Sequence, residues 1–299
     1  MNPVNTKPYV LPSNATWLIT GCSSGIGREI ATLIASKPNL RLVATARNPS
    51  TLSYLPDSPN ILKITLDVTS PASIDAAFAA AKTHFGADFY PDVVINNAGY
   101  SLSGDTENAT EEEMHQEMET LFFGTVRVTM RAVELMRQHK EHRGGLIFNI
   151  SSLAGLVGLP GHAFYHASKF AVEGFSESVA REMHPDWNIN FCIVEPGGVK
   201  TNFEGHSKAH ITPHPAYAVA DMPARKLEHY VNMGIKKGVG MIEPSAVAET
   251  LFAVASRGER VPLRLPLGAT AWKLARAKFE GAIGELEAVK GISGMGVEI

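Results

Sequence analysis

The chain has 299 residues, 44% hydrophobic and 19% charged, with a formal net charge of -3. That balance predicts a globular protein with a substantial core and argues against nucleic acid or an anionic membrane surface as its main partner. No stretch is long and apolar enough to span a bilayer, and two cysteines, Cys22 and Cys192, make neither a disulfide framework nor a metal set, which suits a reducing, cytoplasmic compartment.

Residues 1–14 hold three prolines and read as an irregular arm without the apolar core of a signal peptide. A strand is predicted at 16–20, followed by Gly21-Cys22-Ser23-Ser24-Gly25-Ile26-Gly27 and a helix over 28–36. Strand, glycine turn and helix together make a phosphate cradle. Gly21 permits the tight turn, Gly27 lets a pyrophosphate and the helix approach closely, and the helix N-terminus offers free N–H groups. Ser23 and Ser24 add hydroxyl donors, and Cys22 is only a small loop residue.

The second strand, 41–46, ends at Arg47. In dinucleotide-binding folds this strand end meets the adenosine ribose. An acidic residue there would repel a 2′-phosphate; here it is missing, and a guanidinium can grip that phosphate by paired hydrogen bonds. The reading is NADP(H) over NAD(H), with a solvated loop arginine as the alternative.

A third strand, 62–66, leads to Asp67, which has two open roles: accepting from an adenine amine, or capping the helix over 72–85. The strand 93–95 runs into Asn96-Asn97-Ala98-Gly99, whose asparagines can tie loop backbone together. Residues 110–140 carry helical periodicity, with Phe122, Val126, Met130 and Val133 suited to core or subunit contact. A fifth strand, 144–150, runs into Ser151-Ser152.

The helix over 164–183 contains Tyr165 and Lys169, four residues apart and so on one face. A nearby ammonium favours phenolate, which tunes Tyr165 to exchange a proton with a carbonyl or alcohol oxygen. The strand 189–194 ends in a turn, 195–201, suited to placing Val199 backbone and the Thr201 hydroxyl near a nicotinamide amide.

Residues 202–235 change character. His206, His210 and His214 recur at spacings of four, but prolines break any helix that would align them, so a polar lid is favoured over a metal site. Tyr217, Val219, Met222 and Tyr230 are expected to form its apolar underside. A helix over 244–257, an edge strand at 261–265 and a charged helix over 270–289 follow, with 290–299 frayed. Alternating strands and helices predict one α/β domain, 15–299, on a doubly wound parallel, Rossmann-type sheet. Ligands bind such sheets beyond the carboxyl ends of the strands. Gly21, Asp67, Asn97, Ser152 and Val199 all fall at predicted strand ends.

With these motifs the chain resembles the classical short-chain dehydrogenase/reductases, closely over 16–201 and more loosely beyond. Residues 261–289 look like the 17β-hydroxysteroid-dehydrogenase-like branch. The resemblance implies that Tyr165 is the proton donor or acceptor, that Lys169 lowers its pKa and binds the nicotinamide ribose, and that Ser152 orients the substrate oxygen. It implies that Ile26, Arg47, Asp67, Asn97, Val199 and Thr201 line the cofactor. It also implies a homodimer or homotetramer pairing the helices 110–140 and 163–183.

One position departs from the family. Aligned on Glu119 to Thr125, Leu121 stands where the family usually has an asparagine holding a water that links the lysine to solvent. Either the proton takes another route, or turnover is slow, or the site is adapted. The leading expectation is an NADPH-dependent carbonyl reductase for a medium-sized apolar substrate. The alternatives are a non-catalytic NADP(H) sensor and a non-redox enzyme on the same scaffold.

Overall fold

The computed structural model describes residues 3–86, 89–139, 143–203, 207–237 and 240–294. The first strand, β1 (Thr16–Ile19), is apolar on both faces and lies in the middle of the sheet. Around it, β2 (Arg41–Ala46), β3 (Ile61–Thr65), β4 (Val93–Asn96), β6 (Gly145–Ile150), β7 (Ile189–Pro196) and β9 (Arg264–Leu267) are laid in the order β3-β2-β1-β4-β6-β7-β9. Every pairing between neighbours in this sheet is parallel. Strand order reverses between β1 and β4, and a crevice for a ligand opens at such a switch point.

Helices cover both faces, so the strands alternate between two cores rather than between core and water. Trp17 and Ile19 face α1 (Gly25–Ala35) and α7 (Pro244–Ser256), in a cluster with Ile30, Ile34, Val247 and Leu251. Leu18 points the other way, clustered with Phe78 of α2 (Pro71–Phe85), Val128 of α4 (Gly124–Gln138) and Ala180 of α5 (Ala163–Glu182).

The predicted helix 110–140 forms over 111–138, with a π-helical turn inside it. α3 (Glu111–Met118) opens on a capping box between Thr110 and Glu113. A π-helical turn, Glu119–Phe123, then separates it from α4. The last strand starts three residues later than predicted and ends two later. The Val261 carbonyl accepts from Asn5, the Leu263 carbonyl accepts from Ile193 N–H, and the register with β7 begins at Arg264; Pro266, which has no N–H, fits an edge strand.

The arm carries no helix or strand among its described residues, yet it is pinned. Asn5 Nδ2 donates to the Phe191 and Val261 carbonyls at 2.8 and 2.9 Å, and Phe191 N–H donates back to its Oδ1 at 3.0 Å. Tyr9 is buried, with its hydroxyl on the Asp92 carbonyl. The final helix, α8 (Ala269–Gly294), outruns its predicted end at 289.

The lid region is more ordered and less apolar than predicted. β8 (Lys208–His210) pairs in parallel with a short strand, β5 (Ser101–Ser103), and α6 spans Pro223–Lys237. Buried Asp105 anchors it, accepting from Arg225 Nη2 at 2.6 and 2.8 Å and from His214 N–H at 3.0 Å. Val219 and Tyr230 are 60% and 76% exposed, so they form no apolar underside. Among the described residues no side-chain group suits a metal ion. His210 contacts Ser103 and His214 pairs with Glu107, while His206 lies outside the described residues. Among the described residues no helix is long and apolar enough to cross a membrane.

Candidate active site

Because the strands are parallel, their carboxyl ends share one edge of the sheet. There the chain leaves β1 through Gly21, whose φ of +72° is open to glycine at little cost. A Cβ on Gly27 would strike the Gly21 carbonyl and the Asn97 side chain, so turn and helix can meet only with glycine there. The helix begins at Gly25, earlier than predicted, with no acidic residue in its first turn. Ser23 and Ser24 are exposed on this turn, Ile26 is half-buried, and Ser24 spends no side-chain hydrogen bond on capping. A helix start with open N–H groups and no local negative charge fits a pyrophosphate.

The turn is braced from both sides. Asn97 Nδ2 donates to the Thr20 and Gly21 carbonyls, each at 3.0 Å, so its side chain is spent on the loop, as the asparagine reading expects. Tyr54, which the sequence reading missed, donates to the Cys22 carbonyl at 2.7 Å and carries the Arg28 guanidinium over its ring. Burial pushes the Cys22 thiol up to about 12, which leaves it an inert small residue.

Arg47 is exposed just beyond β2 and makes no ion pair among the described residues. Asp67 Oδ1 accepts from Thr69 N–H and hydroxyl at 2.9 and 2.8 Å. Ser70, not Asp67, caps α2, which removes the capping alternative. After β7, the backbone of 198–200 is laced to Ile242, and the Thr201 methyl lies across from Gly25. The glycine turn and Thr201 therefore lie side by side at this edge of the sheet.

On the other side of the switch point, β6 delivers Ser151 and Ser152. The Ser152 hydroxyl accepts from Ala154 N–H at 3.1 Å, opening a short 3₁₀ turn, and its own hydrogen stays available to donate. His166 Nδ1 contacts the Ala154 carbonyl at 2.9 Å and fixes that turn onto the first turn of α5, where Tyr165 lies. Lys169, buried, donates to the Ile150 carbonyl at 2.8 Å, and its Nζ lies 5.8 Å from the Tyr165 ring centre. Burial pulls the Lys169 ammonium down to about 8, while Glu117 and Glu173 act to hold the charge on it. Phe203, also missed, leans over Tyr165 with ring centres 6.2 Å apart.

A family model described as short chain dehydrogenase matches residues 15–211. The chain belongs to the short-chain dehydrogenase family. It is 67% identical over 298 residues to the oxidoreductase calM of Penicillium decumbens, covering 99% of this chain and 98% of that one. Among solved structures it resembles a short-chain dehydrogenase from Streptomyces avermitilis, with TM-score 0.81, 32% identity, and 93% and 98% of the two chains covered. It also resembles a variant of the actinorhodin polyketide ketoreductase with NADPH, with TM-score 0.68, 28% identity, and 86% and 97% coverage.

In this short-chain dehydrogenase a buried acid missed from sequence is Glu117. Its side chain is fully buried, and Oε1 accepts from Leu102 N–H at 3.0 Å. Burial pushes its carboxyl up to about 7. The signal for it was weak: one more acid within the run Glu111-Glu112-Glu113-Met114-His115-Gln116-Glu117 looks like a solvated helix face.

Proposed function

We propose that the protein is an NADPH-dependent carbonyl reductase, reversible as an alcohol dehydrogenase, acting on a medium-sized apolar carbonyl compound. The observation that supports this reading is the tie between the Ser152 turn and the first turn of α5, which carries Tyr165, with buried Lys169 one turn further on. Bound nicotinamide supplies the hydride. Ser152 donates to the substrate oxygen and orients it. Tyr165, its phenol favoured towards phenolate by Lys169, gives that oxygen its proton. Phe203 gives the mouth an apolar wall. Gly21, Ser23, Ser24, Ile26 and Gly27 hold the pyrophosphate, and Asp67, Asn97, Val199 and Thr201 line the remainder of the cofactor. Arg47 grips the 2′-phosphate, which a carboxylate at the end of β2 would repel. The two buried thiols suit a cytoplasmic setting, and exposed Phe123, Met130 and Phe170 on α4 and α5 and the turn before them suit a homodimer or homotetramer.

The test is a titration with NADPH and NADH, followed by NADPH consumption over a panel of ketones and aldehydes. Consumption with any of them supports the reductase. Tight NADPH binding without turnover moves the reading to a sensor, and binding of neither cofactor removes it. Arg47→Ala is expected to weaken NADPH roughly tenfold or more while leaving NADH nearly unchanged; equal effects on both would sink the 2′-phosphate assignment.

A further inference from the structure

The final helix, α8, docks on the body only by its first turns. Ala271 and Ala275 are buried there, but from Arg276 to Ser293 every residue except Ala282 is exposed. Helices in proteins draw most of their stability from packing an apolar face, and Gly281, Gly284 and Gly291 weaken this one from inside. A helix of this composition standing clear of the body calls for a partner.

The helix carries the face that a partner needs. Trp272, Phe279, Ile283 and Leu286 follow one another at spacings of seven, four and three, which sets them in one seam. They are 53%, 47%, 61% and 67% exposed.

The charges say what the seam meets. Lys273, Arg276 and Lys278 precede Phe279, whereas Glu280, Glu285 and Glu287 follow it; only Lys290 falls outside this division. A helix that lies on a membrane keeps a Lys/Arg-rich polar face, and the acidic second half of α8 does not fit that pattern. A second copy laid antiparallel sets basic half on acidic half, whereas a parallel copy sets like on like. The register follows as well. On a 3.6-residue helix Lys278 and Glu285 lie along one edge of the seam, and Arg276 and Glu287 along the other. Each of these pairs is centred between Gly281 and Ala282, and so are the helix ends, Ala269 and Gly294. A two-fold axis at that point brings both pairs together across the seam and lays the helices flush over about 39 Å.

We propose that α8 is a self-association surface, pairing antiparallel with α8 of a second copy about a two-fold axis beside Gly281 and Ala282. It uses none of the residues of the α4–α5 face, so a chain pairing through both forms a tetramer. Arg276 already meets Glu280 of its own copy at 2.6 Å, whereas Lys278 and Glu285 make no ion pair among the described residues, so the latter two carry the test.

The full chain is followed by sedimentation at a concentration near its own dissociation midpoint. Lys278→Glu and Glu285→Lys each set like charges against each other on both sides of the axis. Each is expected to weaken self-association roughly tenfold and to move the mass towards half that of the wild type. Mixed one to one, the two variants should regain the wild-type mass, because the changes compensate across an antiparallel pair and do so at both of its ends. Leu286→Asp, within the seam, should separate the copies at every concentration tested. These positions stand clear of the body, so the Tm of the separated chain stays near that of the wild type. A wild type that is a monomer, single variants of wild-type mass, or a mixture no heavier than its components overturns the proposal. A monomer that sediments with phosphatidylcholine–phosphatidylserine vesicles overturns it too and assigns the seam to lipid.

Discussion

Two buried charged clusters lie one helical turn apart along α5. At the site, buried Lys169 donates to the Ile150 carbonyl at 2.8 Å, and buried Glu117 accepts from Leu102 N–H at 3.0 Å, with no ion pair between the two among the described residues. Towards the sheet edge, Arg264 of β9 binds Glu173, Glu177 and Glu195 together, with Nη1 on Glu195 at 2.9 Å and Nη2 on Glu177 at 3.2 Å. A guanidinium has five donors in a rigid fork, so it can serve three carboxylates at once. It ties α5 to β7 and to the edge strand. An ammonium on a flexible stem serves fewer partners but shifts its pKa readily when buried. One cluster gathers three carboxylates on a permanent cation, and the other holds a titratable ammonium near Tyr165. Burial raises the carboxyl pKa of both Glu173 and Glu195, and the Glu195 charge adds to the rise at Glu173, so the edge cluster leans on Arg264 to stay charged.

The largest effect that separates the clusters is expected from Tyr165→Phe. Turnover should fall roughly 10²–10⁴-fold, the usual contribution of a general acid, with NADPH binding and Tm close to wild type. Retained turnover would remove Tyr165 as the acid. Arg264→Leu should do the reverse. Removing the cation from buried carboxylates costs about 3–5 kcal/mol, a fall in Tm on the order of 10 °C, with kcat per folded molecule changing far less. An unchanged melting curve would mean that the edge cluster does not brace the sheet.

A smaller, pH-dependent effect belongs to the site cluster. The Glu117 carboxyl lies near 7 when folded against an ordinary 4.5, so the folded chain binds this proton more tightly than the unfolded chain. Its contribution to stability is therefore lost as pH rises from about 4.5 through about 7. Glutamine cannot titrate, so the Tm of Glu117→Gln relative to wild type should climb across that window and then level. Parallel Tm curves for the two proteins would show that residue 117 does not titrate there.

Much of the fold was legible in the sequence for a simple reason. Buried parallel strands read as short apolar runs, and glycine turns mark their ends, as at Gly21 and Gly99. The placement of Ser152, Tyr165 and Lys169 was legible because Ser152 follows a strand and Tyr165 and Lys169 share a helix face, which are local relations. The lid was misread because Val219 and Tyr230 are apolar or aromatic without being buried, and composition does not say which side of a segment meets protein. The π turn within the 110–140 helix was hidden because its residues keep helical dihedrals and carry no distinctive composition.

By itself, then, the sequence determined the order of strands and helices, the glycine cradle, and the Ser152, Tyr165 and Lys169 set. These depend on neighbours in the chain, where spacing alone dictates which side chains meet. Only the tertiary structure decided that Asn5 would clamp β7, that Arg264 would gather three carboxylates, and that Glu117 would be buried on Leu102 N–H. Those pairings join residues from 15 to 186 positions apart. Whether a charged side chain on a helix meets water or another charge depends on what packs across from it, and the helix's own sequence carries no record of that.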